Sequence, residues 1–151
     1  MRKFFYWVNF SYVMDNGETS EFDLGVFSTP NLAKKKILES SKQTGFSNYS
    51  LDNYEIIKIG VDFEHPLVDK SNVTLYLVAH EYIINENFDS IWTTFDFFST
   101  KEKAQEKIEY LRLHSRLGKK YPDNFEIVEI HVDNFNDWSE GFVSYSYPLE
   151  K

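Results

Sequence analysis

Phe27-Ser28-Thr29 returns 71 positions further on as Phe98-Ser99-Thr100. The same shift carries Ala33 onto Ala104, Lys36-Ile37 onto Lys107-Ile108, Asn53 onto Asn124 and Glu55-Ile56 onto Glu126-Ile127. It also carries Ile59 onto Ile130 and Val61-Asp62 onto Val132-Asp133. One offset thus joins a strand end, a helix start, a helix core and a later strand. That pattern reads as an internal duplication, and a fixed repeat decides the architecture before local propensity does.

Each copy reads as strand, strand, helix, strand. In the first, Phe4, Tyr6, Val8, Phe10 and Tyr12 alternate along one strand face. Asp15-Asn16-Gly17 predicts a hairpin turn, because Asn and Gly accept the positive φ angles of tight turns. Phe22, Leu24 and Val26 follow on the returning strand. In the second copy Leu75, Leu77 and Ala79, then Phe95 and Phe97, take the matching places, with Asn85-Glu86-Asn87 at the turn. Ser99 predicts a helix N-cap with Glu102 at capping-box spacing. Ala104, Ile108 and Leu111 make the apolar stripe, and Gly118 is the expected stop. In the first copy Ser28 or Thr29 caps, Ala33 and Ile37 form the stripe, and Gly45 stops the helix. The last strands are expected at Glu55–Asp62 and Glu126–Asp133. Val143, Tyr145 and Tyr147 alternate in a way that predicts one more strand at the C-terminus.

These elements predict an α+β fold, a tandem duplication of a strand-strand-helix-strand unit. The sheet should be mainly antiparallel, with two helices packed on one side. Repeat one spans residues 1–66 and repeat two residues 73–151, joined by a short polar link around Pro66. A separate fold of about 70 residues is marginal, so the two are expected to form one compact unit. Aromatic residues make up 18% of the chain, ample for a core.

The formal net charge is -8. Residues 1–72 carry 10 acidic and 8 basic side chains, and residues 73–151 carry 14 and 8, so the second half is the acidic one at -6 against -2. Acidity disfavours nucleic-acid backbones and suits a basic protein partner. There is no cysteine, which removes disulfides and thiolate metal sites and agrees with a cytoplasmic setting. No run approaches the roughly 18 apolar residues of a membrane span.

No catalytic, cofactor or metal site is expected. His65, His80, His114 and His131 lack ligand spacing, and at the 71-residue offset His80 falls on Asn9, His114 on Gln43 and His131 on Gly60. Lys34-Lys35-Lys36 reads as a solvated helix face. The second helix has a further apolar row, Tyr110, Leu113 and Leu117, about 140° or more from the core stripe, with Glu102, Glu106 and Glu109 on the same helix. These six residues are the candidate partner-binding set. The row either buries under the Val143–Tyr147 tail or meets a partner.

Leu75-Tyr76-Leu77-Val78-Ala79-His80-Glu81-Tyr82, Phe97-Phe98-Ser99-Thr100, Tyr121-Pro122-Asp123-Asn124-Phe125 and the closing Trp138-Ser139-Glu140-Gly141-Phe142 together form a pattern. Over about residues 74–143 it resembles a small bacterial domain of unknown function that ends in Trp-Ser/Thr-Glu-Gly-Phe. Repeat one resembles a degenerate copy without the closing element. The resemblance implies no activity, and its small acidic members are similar in style to immunity proteins of bacterial toxin systems. The expectation is a non-enzymatic protein-binding module of immunity or antitoxin type. The alternatives are an acidic phage or host regulatory protein mimicking nucleic acid, or a small enzyme or ligand-binding protein.

Overall fold

The structure is a computed structural model that describes residues 1–87 and 89–143. In chain order the strands and helices are β1 (Arg2–Val13), β2 (Thr19–Phe27), α1 (Pro30–Ser40), β3 (Tyr54–Asp62), β4 (Thr74–Ile83), β5 (Ser90–Phe98), α2 (Lys101–His114), α3 (Arg116–Lys120) and β6 (Phe125–His131). The fold is α+β, with two three-stranded antiparallel sheets ordered β2-β1-β3 and β5-β4-β6. Each strand-strand-helix-strand stretch therefore builds one sheet with its first strand in the middle.

The duplication extends to individual bonds. Thr29 caps α1 by accepting from the Leu32 N–H, and Thr100 caps α2 by accepting from the Lys103 N–H, both at 3.2 Å. The cap is thus Thr100 and not Ser99, one residue later than the capping-box spacing suggested. The Asn53 amide donates to the Ser11 carbonyl and the Asn124 amide to the Glu81 carbonyl, both at 2.9 Å. Asn53 and Asn124 are 71 apart, but Ser11 and Glu81 are 70 apart. The second hairpin has one more turn residue than the first, six against five. The central strands therefore align one position differently from the rest. In that register Val8 matches Val78, Tyr12 matches Tyr82, and His80 matches Phe10, not Asn9.

Three further expectations need correction. Gly118 does not end α2: the helix stops at His114, Ser115 breaks it, and Gly118 is buried within α3. A Cβ there would meet the Leu111 carbonyl oxygen, so glycine serves close packing. Strand β6 ends at His131, with Val132-Asp133 in a turn. Of the expected C-terminal strand, Val143 is exposed and not in a strand, and Tyr145 and Tyr147 lie outside the described residues.

The chain forms two compact units that do not coincide with the repeats. Unit 1 comprises Met1–Lys3 and Gly60–His131, and unit 2 comprises Phe4–Ile59 and Val132–Lys151. The chain leaving β6 thus belongs to the unit built by the first repeat. The core of unit 2 gathers Val8, Phe10, Tyr12, Leu24, Phe27, Ala33, Phe46 and Phe142. The core of unit 1 gathers Val78, Ala104, Ile108 and Leu111, with Tyr76, Phe95, Phe98, Phe125 and Ile127 packed at its margin.

Candidate protein-binding surface

Unit 2 is closed by the segment after β6. Asp133 accepts from the Ser28 N–H at 2.8 Å and from its hydroxyl at 2.7 Å, which anchors the segment beside the start of α1. Lys36 is 2% exposed and donates through Nζ to the carbonyls of Phe135 (3.0 Å) and Asp137 (2.6 Å). Burial lowers the Lys36 pKa, opposed by the charges of Asp137 and Glu39. The Phe142 N–H donates to the Thr44 carbonyl at 2.8 Å. Gly45 and Gly141 meet at this crossing with φ of 85° and 80°, and a Cβ on either would strike the opposing backbone. The Phe142 ring then enters the core, 4.7 Å from Phe22 and Phe46 and 5.3 Å from Tyr12. Trp138 lies 4.4 Å from the Phe22 ring. The Trp-Ser-Glu-Gly-Phe element of repeat two therefore does its packing in unit 2. Lys36, read from the sequence as part of a solvated cluster, is a structural lysine. Its position three residues after buried Ala33, on the inward helix face, was the available signal.

Unit 1 presents the predicted partner-binding set. The buried stripe of α2 is Ala104, Ile108 and Leu111. Glu102, Glu106, Glu109, Tyr110 and Leu113 occupy the opposite, exposed side. Tyr110 is 56% and Leu113 69% exposed. Leu117 does not join them: it sits on α3 beyond the Ser115 break and is half-buried. The acids alternate with cations. Glu109 pairs with Arg112 at 2.5 Å and accepts from Gln105, and the Lys107 ammonium lies 5.3 Å from the Tyr110 ring. Helix α2 carries three carboxylates and four cations. Divided by compact unit, the charge split also changes: unit 1 has 13 acidic against 10 basic side chains, or -3, and unit 2 has 11 against 6, or -5.

A shallow groove of about 320 Å³ runs along the other flank of α2, lined by Lys101, Gln105, Ile108, Arg112 and β6 residues 125–127. Its cations are engaged: Lys101 pairs with Glu129 at 3.3 Å, and Arg112 donates to the Pro122 carbonyl at 2.7 Å. Among the described residues no group of three or more His, Asp or Glu could hold a metal ion, and no helix is long and apolar enough to cross a membrane. His80 is fully buried, 4.6 Å from Phe125, and its Nε2 donates to the Tyr121 carbonyl at 3.0 Å. A carbonyl can only accept, so Nε2 carries a proton. Among the described residues Nδ1 has no partner.

The sequence reading missed the tip of the second hairpin. Ile83, Ile84, Ile91 and Trp92 are exposed there at 57%, 52%, 40% and 49%. Strand pairing sets Tyr82 opposite Ile91 and Glu81 opposite Trp92, so the exposed apolar groups occupy both faces. The signal was adjacency: Ile83-Ile84 and Ile91-Trp92 break the alternation a one-sided strand requires. In comparisons with known proteins, the chain matches no family model, no curated protein and no solved structure.

Proposed function

We propose that the chain is a non-enzymatic protein-binding module, an immunity- or antitoxin-like protein that occludes a basic partner. The observation carrying this reading is the outward face of α2, where Tyr110 and Leu113 stand exposed among Glu102, Glu106 and Glu109. Exposed tyrosine and leucine inside a charged rim supply affinity, while the rim steers encounter. Leu117, half-buried on α3, is at most a margin of this surface.

The test uses the product of the adjacent gene as the binding probe. Leu113→Asp should accelerate dissociation tenfold or more with the melting temperature unchanged. Replacing Glu102, Glu106 and Glu109 by Gln should slow association and flatten its salt dependence. A folded Leu113→Asp variant that binds at full strength refutes the reading of this face.

A further inference from the structure

We infer that the open edge of β5 is a second docking surface, one that accepts a lysine- or arginine-bearing extended segment of a protein partner as an added strand. The inference rests on the protein-binding reading but not on the α2 face. Three observations meet here. First, among the described residues β5 is the terminal strand of its sheet, so one side of its backbone lies beyond the ladder with β4. A strand edge offers a row of N–H and C=O groups that another chain can complete. Second, Ile91 stands on one face of this strand and Trp92, diagonal to Ile83, on the other. An added strand alternates its side chains between the two faces and would bury apolar surface on both.

Third, the charge is one-sided. Residues 71–100 contain no lysine or arginine but hold Glu81, Glu86, Asp89 and Asp96. Lys107 from α2 takes up Asp96 at 3.4 Å. Among the described residues no ion pair takes up Glu81, Glu86 or Asp89. Three unneutralised carboxylates therefore surround the exposed Ile83, Ile84, Ile91 and Trp92. A second copy of the chain would set these carboxylates against themselves, which like-charge repulsion penalises. A cationic segment would neutralise them, and its charge could lie over the face of Trp92.

The first hairpin supplies an internal control. Residues 4–33 also lack lysine and arginine and carry four carboxylates, Asp15, Glu18, Glu21 and Asp23. The places matching Ile91 and Trp92 are Ser20 and Glu21, and Trp138 of the closing segment packs beside Phe22. The acidity was duplicated; Val13, which matches Ile83, is also exposed, whereas the exposed Ile91 and Trp92 belong to the second copy alone.

The experiment titrates isotope-labelled full-length protein with a capped nonapeptide alternating lysine and valine, followed by amide NMR. Shifts should concentrate on Ser90–Asp96, with a Kd below about 1 mM at low salt and at least tenfold weakening in 0.5 M salt. Trp92→Ala should weaken binding about tenfold, and the surface change Glu86→Lys should do the same should Trp92→Ala fold poorly. Leu113→Asp should leave peptide binding unchanged, which separates this surface from the α2 face. The inference is overturned by equal binding of the glutamate-for-lysine peptide, by no response at 2 mM, or by Leu113→Asp alone abolishing binding. Slow hydrogen exchange of the outward β5 amides in the free chain also overturns it, since the chain would already cover that edge. So does a concentration-dependent dimer lost in Trp92→Ala.

Discussion

The two units start from one template and fill their cores differently. In unit 2, Phe10, Tyr12, Phe22, Phe46, Tyr49 and Phe142 turn inward, with neighbouring ring centroids 4.7–6.5 Å apart. In unit 1 the site of Phe10 is taken by His80, and the core stripe is aliphatic. Its large side chains Trp92, Ile91, Tyr110 and Leu113 face solvent. Unit 2 closes its core with a segment encoded after β6, and unit 1 exposes apolar side chains on α2 and at its hairpin tip; unit 2 in turn exposes Phe4, Val13, Leu38 and Leu51 elsewhere on its surface. The difference teaches how duplicated hairpins diverge: the first takes Phe142 into an aromatic core beside Phe22, and the second sets Ile91 and Trp92 in solvent at the matching strand.

The most damaging test of that contrast is Phe142→Ala. The ring is 8% exposed and touches rings from β1, β2 and the turn after α1. Truncating a buried phenylalanine costs about 3–5 kcal/mol. Denaturant unfolding should show that loss, and amides of β1 and β2 should lose hydrogen-exchange protection before those of β4 and β5. A cost below 1 kcal/mol would mean the closing segment merely rests on unit 2.

Much of this fold was legible in the sequence, for definable reasons. Hydrophobic alternation and the 71-residue offset located the strands and both long helices, because period and repeat are local properties. The one-residue change of register could not be read from a single offset, since it arises from the longer turn at residues 84–89. Nor could the exchange of segments between units: Trp138 to Phe142 follow β6 directly, but their partners Thr44 and Phe22 lie about a hundred residues earlier. The exposed face of α2 was readable from helical spacing as far as Leu113. It failed at Leu117 because the wheel was carried through Ser115, where the helix ends.

A second test works through pH. Tyr54 is packed against the unit 2 core with its hydroxyl buried and, among the described residues, unpartnered. Burial pushes its pKa up to about 12. Below pH 10 the residue is neutral in folded and unfolded chains alike. Between pH 10 and 12 the unfolded tyrosine loses its proton while the folded one keeps it, so stability falls as pH rises. Tyr54→Phe should remove that part of the alkaline decline, measured as the difference between the two denaturation profiles, and should leave neutral-pH stability unchanged or slightly higher. Parallel profiles up to pH 12 would show the hydroxyl to be solvated.

The smallest effect gives the sharpest comparison, because it uses the same residue at the same repeat position. Lys36 and Lys107 both follow their helix caps by seven residues. Lys36 is buried and holds two carbonyls of the closing segment, whereas Lys107 makes a partly exposed ion pair with Asp96. Replacing Lys36 by Met keeps the apolar stem but strands both carbonyls, at a cost of about 1–3 kcal/mol. Lys107→Met removes a pair of the kind worth about 0–1 kcal/mol. The Lys36 loss should also carry its own pH signature. Because burial lowers the folded pKa below 10.5, the unfolded chain binds the extra proton just under that value. Wild-type stability should therefore gain with rising pH in that window, and Lys36→Met should lack the gain. This slope is opposite in sign to that of Tyr54 and sits at lower pH, so the two variants separate the contributions. Equal costs for the two lysine changes would mean that the closing segment does not depend on Lys36, and that the two copies differ less than their cores suggest.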